Sequence, residues 1–214
     1  MMASTHTYTK REEIANAMTH GIGALLSVAA LVLLIVFSSI EGTAFHVISF
    51  IIYGVTMLLL YVSSTLVHSF PEGKAKDIFE IMDHSAIYIY IAGTYTPISL
   101  HIIQGTLGWV LFGIVWGLAA AGVLFKVFFT KKFLFTSTLI YILMGWMIVV
   151  AWKSLLLNFS GGGLIMLITG GLCYTVGTLF YVWRGFMYHH AVWHLFVLAG
   201  SAFMFFSILL YILP

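Results

Sequence analysis

Seven apolar stretches, each long enough to cross a lipid bilayer, follow one another along this chain with only short polar breaks between them. A hydrocarbon core about 30 Å thick takes roughly 20 apolar residues as a helix. Stretches of that length lie near 17–40, 44–67, 82–103, 107–129, 133–156, 161–183 and 190–213. In lipid, backbone donors and acceptors must find partners inside the protein, and for single apolar segments that means helices. The expected fold is an all-α integral membrane protein, a seven-transmembrane helix bundle. Composition excludes a soluble globule: 62% of the 214 residues are hydrophobic and 7% are charged, against roughly 25% charged in a soluble domain.

The longest connection, Ser69 to Ile81, carries Pro71, Glu72, Gly73, Lys74, Lys76, Asp77 and Glu80, and no soluble domain fits between the spans. Without internal repeats or low-complexity linkers, the chain reads as a short cytoplasmic segment, 1–16, followed by one transmembrane domain, 17–214. The first stretch follows a polar leader containing Glu12 and Glu13. It is longer than the roughly 7–15 apolar residues of a secretory signal, so it is expected to be a retained helix. Basic residues are held on the cytoplasmic side of a membrane. With the N-terminus inside, Lys10, Arg11, Lys74, Lys76, Lys126, Lys131, Lys132 and Arg184 fall inside and only Lys153 outside. The odd number of spans then puts Pro214 outside, and a multi-pass protein of the cell membrane is expected. Trp109 and Trp152 near the outer ends, with Trp183 and Trp193 near the inner ends, suit interfacial aromatic belts. The single cysteine, Cys173, falls mid-span and reads as a packing residue.

This topology gathers His68, Asp83, His190 and His194 at the cytoplasmic end. His190 and His194 are four residues apart, so both imidazoles face one side of a helix and can share a metal. His68 from the second span completes three nitrogen ligands and leaves zinc's fourth tetrahedral position open for water. Asp83, the one carboxylate placed within a span, is a functional candidate because an unpaired charge in the bilayer costs several kcal/mol. It is expected to reach the metal through that water or directly; alternatively it is an interfacial N-cap beside a solvated His84. Ser64, one turn before His68, either orients an imidazole, contacts Asp83, or back-bonds to the carbonyl four residues earlier. Glu13, Asn16 and His20 form one polar stripe entering the first span. They act either as dipole compensation and an N-cap, or as a buried network bracing the site. His6 sits in a tail expected to be disordered, His46 and His101 fall at the opposite end, and His189 points away from His190.

Three motifs carry a family resemblance. Glu13-Ile14-Ala15-Asn16-Ala17-Met18-Thr19-His20 resembles E-x2-N-x3-H, Ser64-Thr65-Leu66-Val67-His68 resembles S-x3-H, and His190-Ala191-Val192-Trp193-His194 resembles the H-x3-H of the progestin and adipoQ receptor family. The loop-poor chain, with His-Ala-Val-Trp-His-Leu-Phe-Val-Leu-Ala-Gly-Ser at 190–201, is particularly similar to the bacterial hemolysin III branch. The resemblance implies seven helices and a zinc ion near the cytoplasmic leaflet. It also implies three histidine ligands at His68, His190 and His194, and a water held by Asp83. The wider superfamily contains alkaline ceramidases and other membrane hydrolases. Neither the long N-terminal segment of the animal receptors nor an extracellular domain is expected from this sequence, so a hormone-receptor role is not expected to carry over.

The leading functional expectation is a zinc-dependent hydrolase of a lipid amide or ester. A ceramide-like or other acyl substrate would enter from the cytoplasmic leaflet, with Asp83 as base and Ser64 assisting the oxyanion. Two alternatives come from other classes: a membrane-lytic, pore-forming protein, and a non-enzymatic lipid sensor with structural zinc. The expected partners are membrane lipids, not nucleic acid.

Overall fold

The structure, a computed structural model, describes residues 8–213; His6 and Pro214 lie outside them. Among the described residues are seven helical spans long and apolar enough to cross a membrane, and no strand. Helices α1 (Lys10–Glu41), α2 (Ala44–Ser69) and α3 (Lys74–Pro97) are followed by a π-helical turn, Ile98–Ile103, that completes the third span. Helix α4 is Gly105–Phe129. The fifth span is α5 (Leu134–Trp146), a 3-10 stretch (Met147–Ala151) and α6 (Trp152–Asn158). Helices α7 (Gly161–Val182) and α8 (His189–Tyr211) are the last two spans.

Two helices begin earlier than the apolar stretches predict. At α1 a capping box sets the start: the Glu12 amide donates to Thr9 Oγ1 at 3.3 Å and the Thr9 amide donates to Glu12 Oε2 at 2.9 Å. Asn16 is therefore no N-cap but lies inside the helix, fully buried. In α3 the later polar residues of the expected loop, Lys74, Lys76, Asp77 and Glu80, make the first turns of the helix instead, while Pro71, Glu72 and Gly73 stay outside it. Asp83 thus sits nine residues, about two and a half turns, inside it rather than at its opening. Nor is Asp83 alone, because Glu12 and Glu13 fall within the first span.

The breaks have local causes. Pro97 has no amide hydrogen to give, and its ring crowds the carbonyl four residues back. The chain continues as a π turn closed by Gln104 N donating to Ser99 O at 2.9 Å. In the fifth span the Tyr95 hydroxyl contacts the Met144 and Gly145 carbonyls at 2.8 and 2.9 Å, just before the 3-10 stretch.

Polarity is arranged inside out. Helix α1 buries Asn16, His20, Ser27 and Ser38 while exposing Leu25, Leu26 and Ile40. Such a surface is soluble only in lipid. Helix α1 packs on α2 and α8, α2 on α3, and α7 on α8; α5 bridges α3 and α7, and α4 lies against α3. The resulting ring encloses the site.

Candidate metal centre

Because α1 binds both α2 and α8, it draws the last turn of α2 and the first turns of α8 together at the end of the bundle rich in lysine and arginine. There His68, His190 and His194 are buried, each offering a ring nitrogen, with all three nitrogens within 4.8 Å of one another. The ring centroids stand 4.5 Å apart for His190 and His194, 5.1 Å for His68 and His190, and 5.3 Å for His68 and His194.

Hydrogen bonds orient two of these rings. His68 Nδ1 contacts Glu13 Oε2 at 2.6 Å, and Glu13 Oε1 accepts from Lys76 Nζ at 2.5 Å. A carboxylate accepts, so Nδ1 carries the proton and Nε2 presents its lone pair. His68 Nε2 is buried with no hydrogen-bond partner. His194 Nδ1 faces the Asn16 carbonyl at 3.2 Å and Thr19 Oγ1 at 3.0 Å, while Thr19 donates to Ala15 O at 2.9 Å. Its proton again sits on Nδ1, leaving Nε2 as the free donor atom. His190 Nδ1 is likewise buried without a partner. Orphaned imidazole nitrogens in so close a cluster are costly unless something binds them.

The donor set fits a metal ion. Three imidazoles suit zinc, whose nitrogen ligands at about 2.0–2.1 Å stand roughly 3.4 Å from one another in a tetrahedron. Closing the present spacing by roughly 1 Å lies within the reach of side-chain rotation.

The other expected residues surround this cluster. His20 stacks on His194 with centroids 3.4 Å apart, and its Nδ1 meets Ser64 Oγ at 2.6 Å. Among the described residues Ser64 therefore bonds an imidazole, not the carbonyl one turn back. Asp83 is half-buried and within electrostatic reach of His84, His68 and Ser64. Of the stripe, Asn16 and His20 are buried and Glu13 partly so; Glu13 bonds His68 and His20 bonds Ser64, while both side-chain amide atoms of Asn16 lack partners. His84 is not in solvent: its Nε2 lies 3.2 Å from the Tyr181 hydroxyl. His46 and His101 stand at the far end, stacked on each other at 3.9 Å. His189 is held by Phe180 O at 3.0 Å.

Several residues escaped sequence reading. Tyr8 leans its ring over His190 and His68, with centroids 5.1 and 6.0 Å away. Burial raises its phenol well above the ordinary range, so it stays neutral. The Thr9-x-x-Glu12 capping box was the available clue, since it starts α1 just after Tyr8. Lys76 left none, because its partner Glu13 is 63 residues away. Glu13, His68, His190, His194 and Asp83 all line one cavity of about 410 Å³ that runs up the bundle to Leu155 and Met204.

The profile of the family described as Haemolysin-III related matches residues 8–205. The chain belongs to that family. It is 56% identical over 204 residues to the Hemolysin-3 homolog of Bacillus subtilis, covering 95% of this chain and 96% of that one. It is 54% identical over 204 residues to Hemolysin-3 of Bacillus cereus, covering 95% and 93%. It is 28% identical over 208 residues to human Monocyte to macrophage differentiation factor, covering 94% and 84%. No solved structure matches. The resemblance drawn from the three motifs is thus borne out, and this Haemolysin-III related chain is a multi-pass protein of the bacterial cell membrane.

Proposed function

We propose that this protein is a zinc-dependent hydrolase of a lipid amide or ester, working at the cytoplasmic leaflet. One observation supports this above others. Unpartnered nitrogens of His68 and His190 share a buried cluster with His194 at one end of a cavity whose deeper wall is mostly apolar. Zinc in such a three-nitrogen site supplies Lewis-acid polarisation of a carbonyl and lowers the pKa of water toward about 7.

The chain's own residues supply the rest. Glu13 and Lys76 hold the His68 ring through Nδ1, and the Asn16 carbonyl and Thr19 hold that of His194, which supports Nε2 of each ring as the atom that would bind the metal. Asp83, on the cavity wall beside them, is placed to accept a proton from the attacking water and return it to the leaving group. Ser64 positions His20 and stands where a hydroxyl can assist a developing oxyanion. The apolar walls above, among them Ile87, Ile91, Leu164 and Leu167, suit an acyl chain.

The relatives' name points to lysis, which requires a polar path across the whole bilayer depth. The charged side chains on the cavity wall gather at the histidine end, and Ile98, Leu155 and Met204 line it further in, which disfavours a single-chain pore. Purified protein incubated with a panel of lipid amides and esters tests the proposal: release of free fatty acid by the native chain and none by His194→Ala is expected. Hydrolysis that persists in His194→Ala stripped of zinc would overturn it.

A further inference from the structure

Two turns deeper than the histidines, the cavity wall carries a feature that the proposed chemistry does not use. Five hydroxyls from α2, α3, α7 and α8 form one hydrogen-bonded chain: Tyr61 donates to Ser201 at 2.7 Å, Ser201 meets Tyr174 at 3.0 Å, Tyr174 meets Tyr90 at 3.1 Å and Tyr90 meets Tyr53 at 3.5 Å. Tyr90 and Tyr174 line the cavity, while the other three members stand behind them. Ser201 lies seven residues beyond His194 on α8, and Tyr90 seven beyond Asp83 on α3, a rise of about 10 Å.

Phenylalanine would fill the same ring space, so the hydroxyls need their own account. The rings are closely seated. A Cβ on Gly200 would stand 2.6 Å from Tyr174 Cε1, and one on Gly23 would collide with the Tyr61 ring. These glycines admit the phenols and fix where their oxygens lie. A tyrosine hydroxyl has one donor and two acceptor positions. Tyr90 and Tyr174 each make two bonds within the chain, which leaves each phenol, on a ring that lines the cavity, one hydrogen-bonding position to offer a ligand hydroxyl, itself both donor and acceptor.

We infer that this belt recognises a hydroxyl group part-way along the acyl chain of the ligand, so that the cavity prefers mid-chain hydroxylated acyl groups to the unsubstituted ones. The inference rests on the lipid-hydrolase reading, with the polar end of the ligand at the histidines. One neutral hydrogen bond formed out of water gives about tenfold in affinity.

The test is calorimetric titration of the full-length, zinc-loaded protein in detergent with stearate and with stearate hydroxylated at mid-chain. The hydroxylated acid is expected to bind about tenfold more tightly. Tyr174→Phe and Tyr90→Phe are each expected to reduce that ratio to less than about threefold. Two variants are used in case one fails to fold, and thermal melting identifies that case. A merely structural belt lowers the melting temperature in both variants and leaves the ratio intact. Equal affinity of the native protein for the two acids, or a ratio that survives both substitutions, overturns the inference while leaving the hydrolase reading untouched. Failure to bind either acid overturns the inference and counts against the lipid reading as well.

Discussion

Glu13 grips the Nδ1 side of His68 at 2.6 Å, across 55 residues of sequence, and so turns Nε2 of that ring toward His190 and His194. Residues bracing a metal-binding histidine typically account for 10–100-fold in metal affinity. Glu13→Ala is therefore expected to weaken zinc binding by about 10–100-fold, measured by competition with a chromogenic chelator. Glu13→Gln, which keeps an acceptor, is expected to lose less. An unchanged affinity in Glu13→Ala would mean that the contact does not orient a ligand.

The start of α1 carries Glu13, so its cap reaches the site indirectly. Thr9→Ala removes the hydroxyl that accepts from the Glu12 amide, at a cost of about 1 kcal/mol. Faster amide exchange through the first two turns of α1 is expected, together with a smaller loss of zinc affinity than in Glu13→Ala. Hydrogen exchange followed by mass spectrometry reads the first effect directly.

Close packing around the tyrosines sets a third expectation. Gly200→Ala places a methyl 2.6 Å from the Tyr174 ring, and a ring seated between helices yields less readily than a flexible chain end. Overpacking of this kind costs about 1–3 kcal/mol. Gly113→Ala, where a Cβ meets nothing within 4 Å, is the matched control and is expected to leave the melting temperature unchanged. Equal melting of the two variants would contradict the packing.

The ion pairs at the basic end differ in burial, and their removal is expected to differ accordingly. Lys131 and Asp77 are 2.6 Å apart but about half exposed, and such pairs contribute at most about 1 kcal/mol. Lys131→Ala is expected to shift melting little and to leave zinc content unchanged. Lys76→Ala uncouples a largely buried Glu13 and is expected to lower zinc affinity. Zinc loss from Lys131→Ala equal to that from Lys76→Ala would remove the distinction.

The spans were legible because lipid imposes a length and an apolarity that no loop shares, and the convergence of His68, His190 and His194 follows once the spans are placed. Helix starts were less legible. Lys74, Lys76, Asp77 and Glu80 are polar enough to read as a loop, yet at the membrane surface they form the wetted first turns of α3. Partners chosen by packing were invisible: nothing at Lys76 announces Glu13, and Tyr53, Tyr61, Tyr90 and Tyr174 are scattered over three spans with no common spacing. The Asn16 alternative was decided only by the cap at Thr9, a local feature that the apolar periodicity masked.

X-ray absorption at the zinc edge, with elemental analysis of the purified native protein and of His68→Ala, His190→Ala and His194→Ala, tests the centre most directly. The native chain is expected to hold one zinc with three imidazole nitrogens at about 2.0–2.1 Å, and each variant to lose most of the metal. A native protein that stays free of metal in zinc-replete medium, or one whose zinc survives all three substitutions, would contradict it.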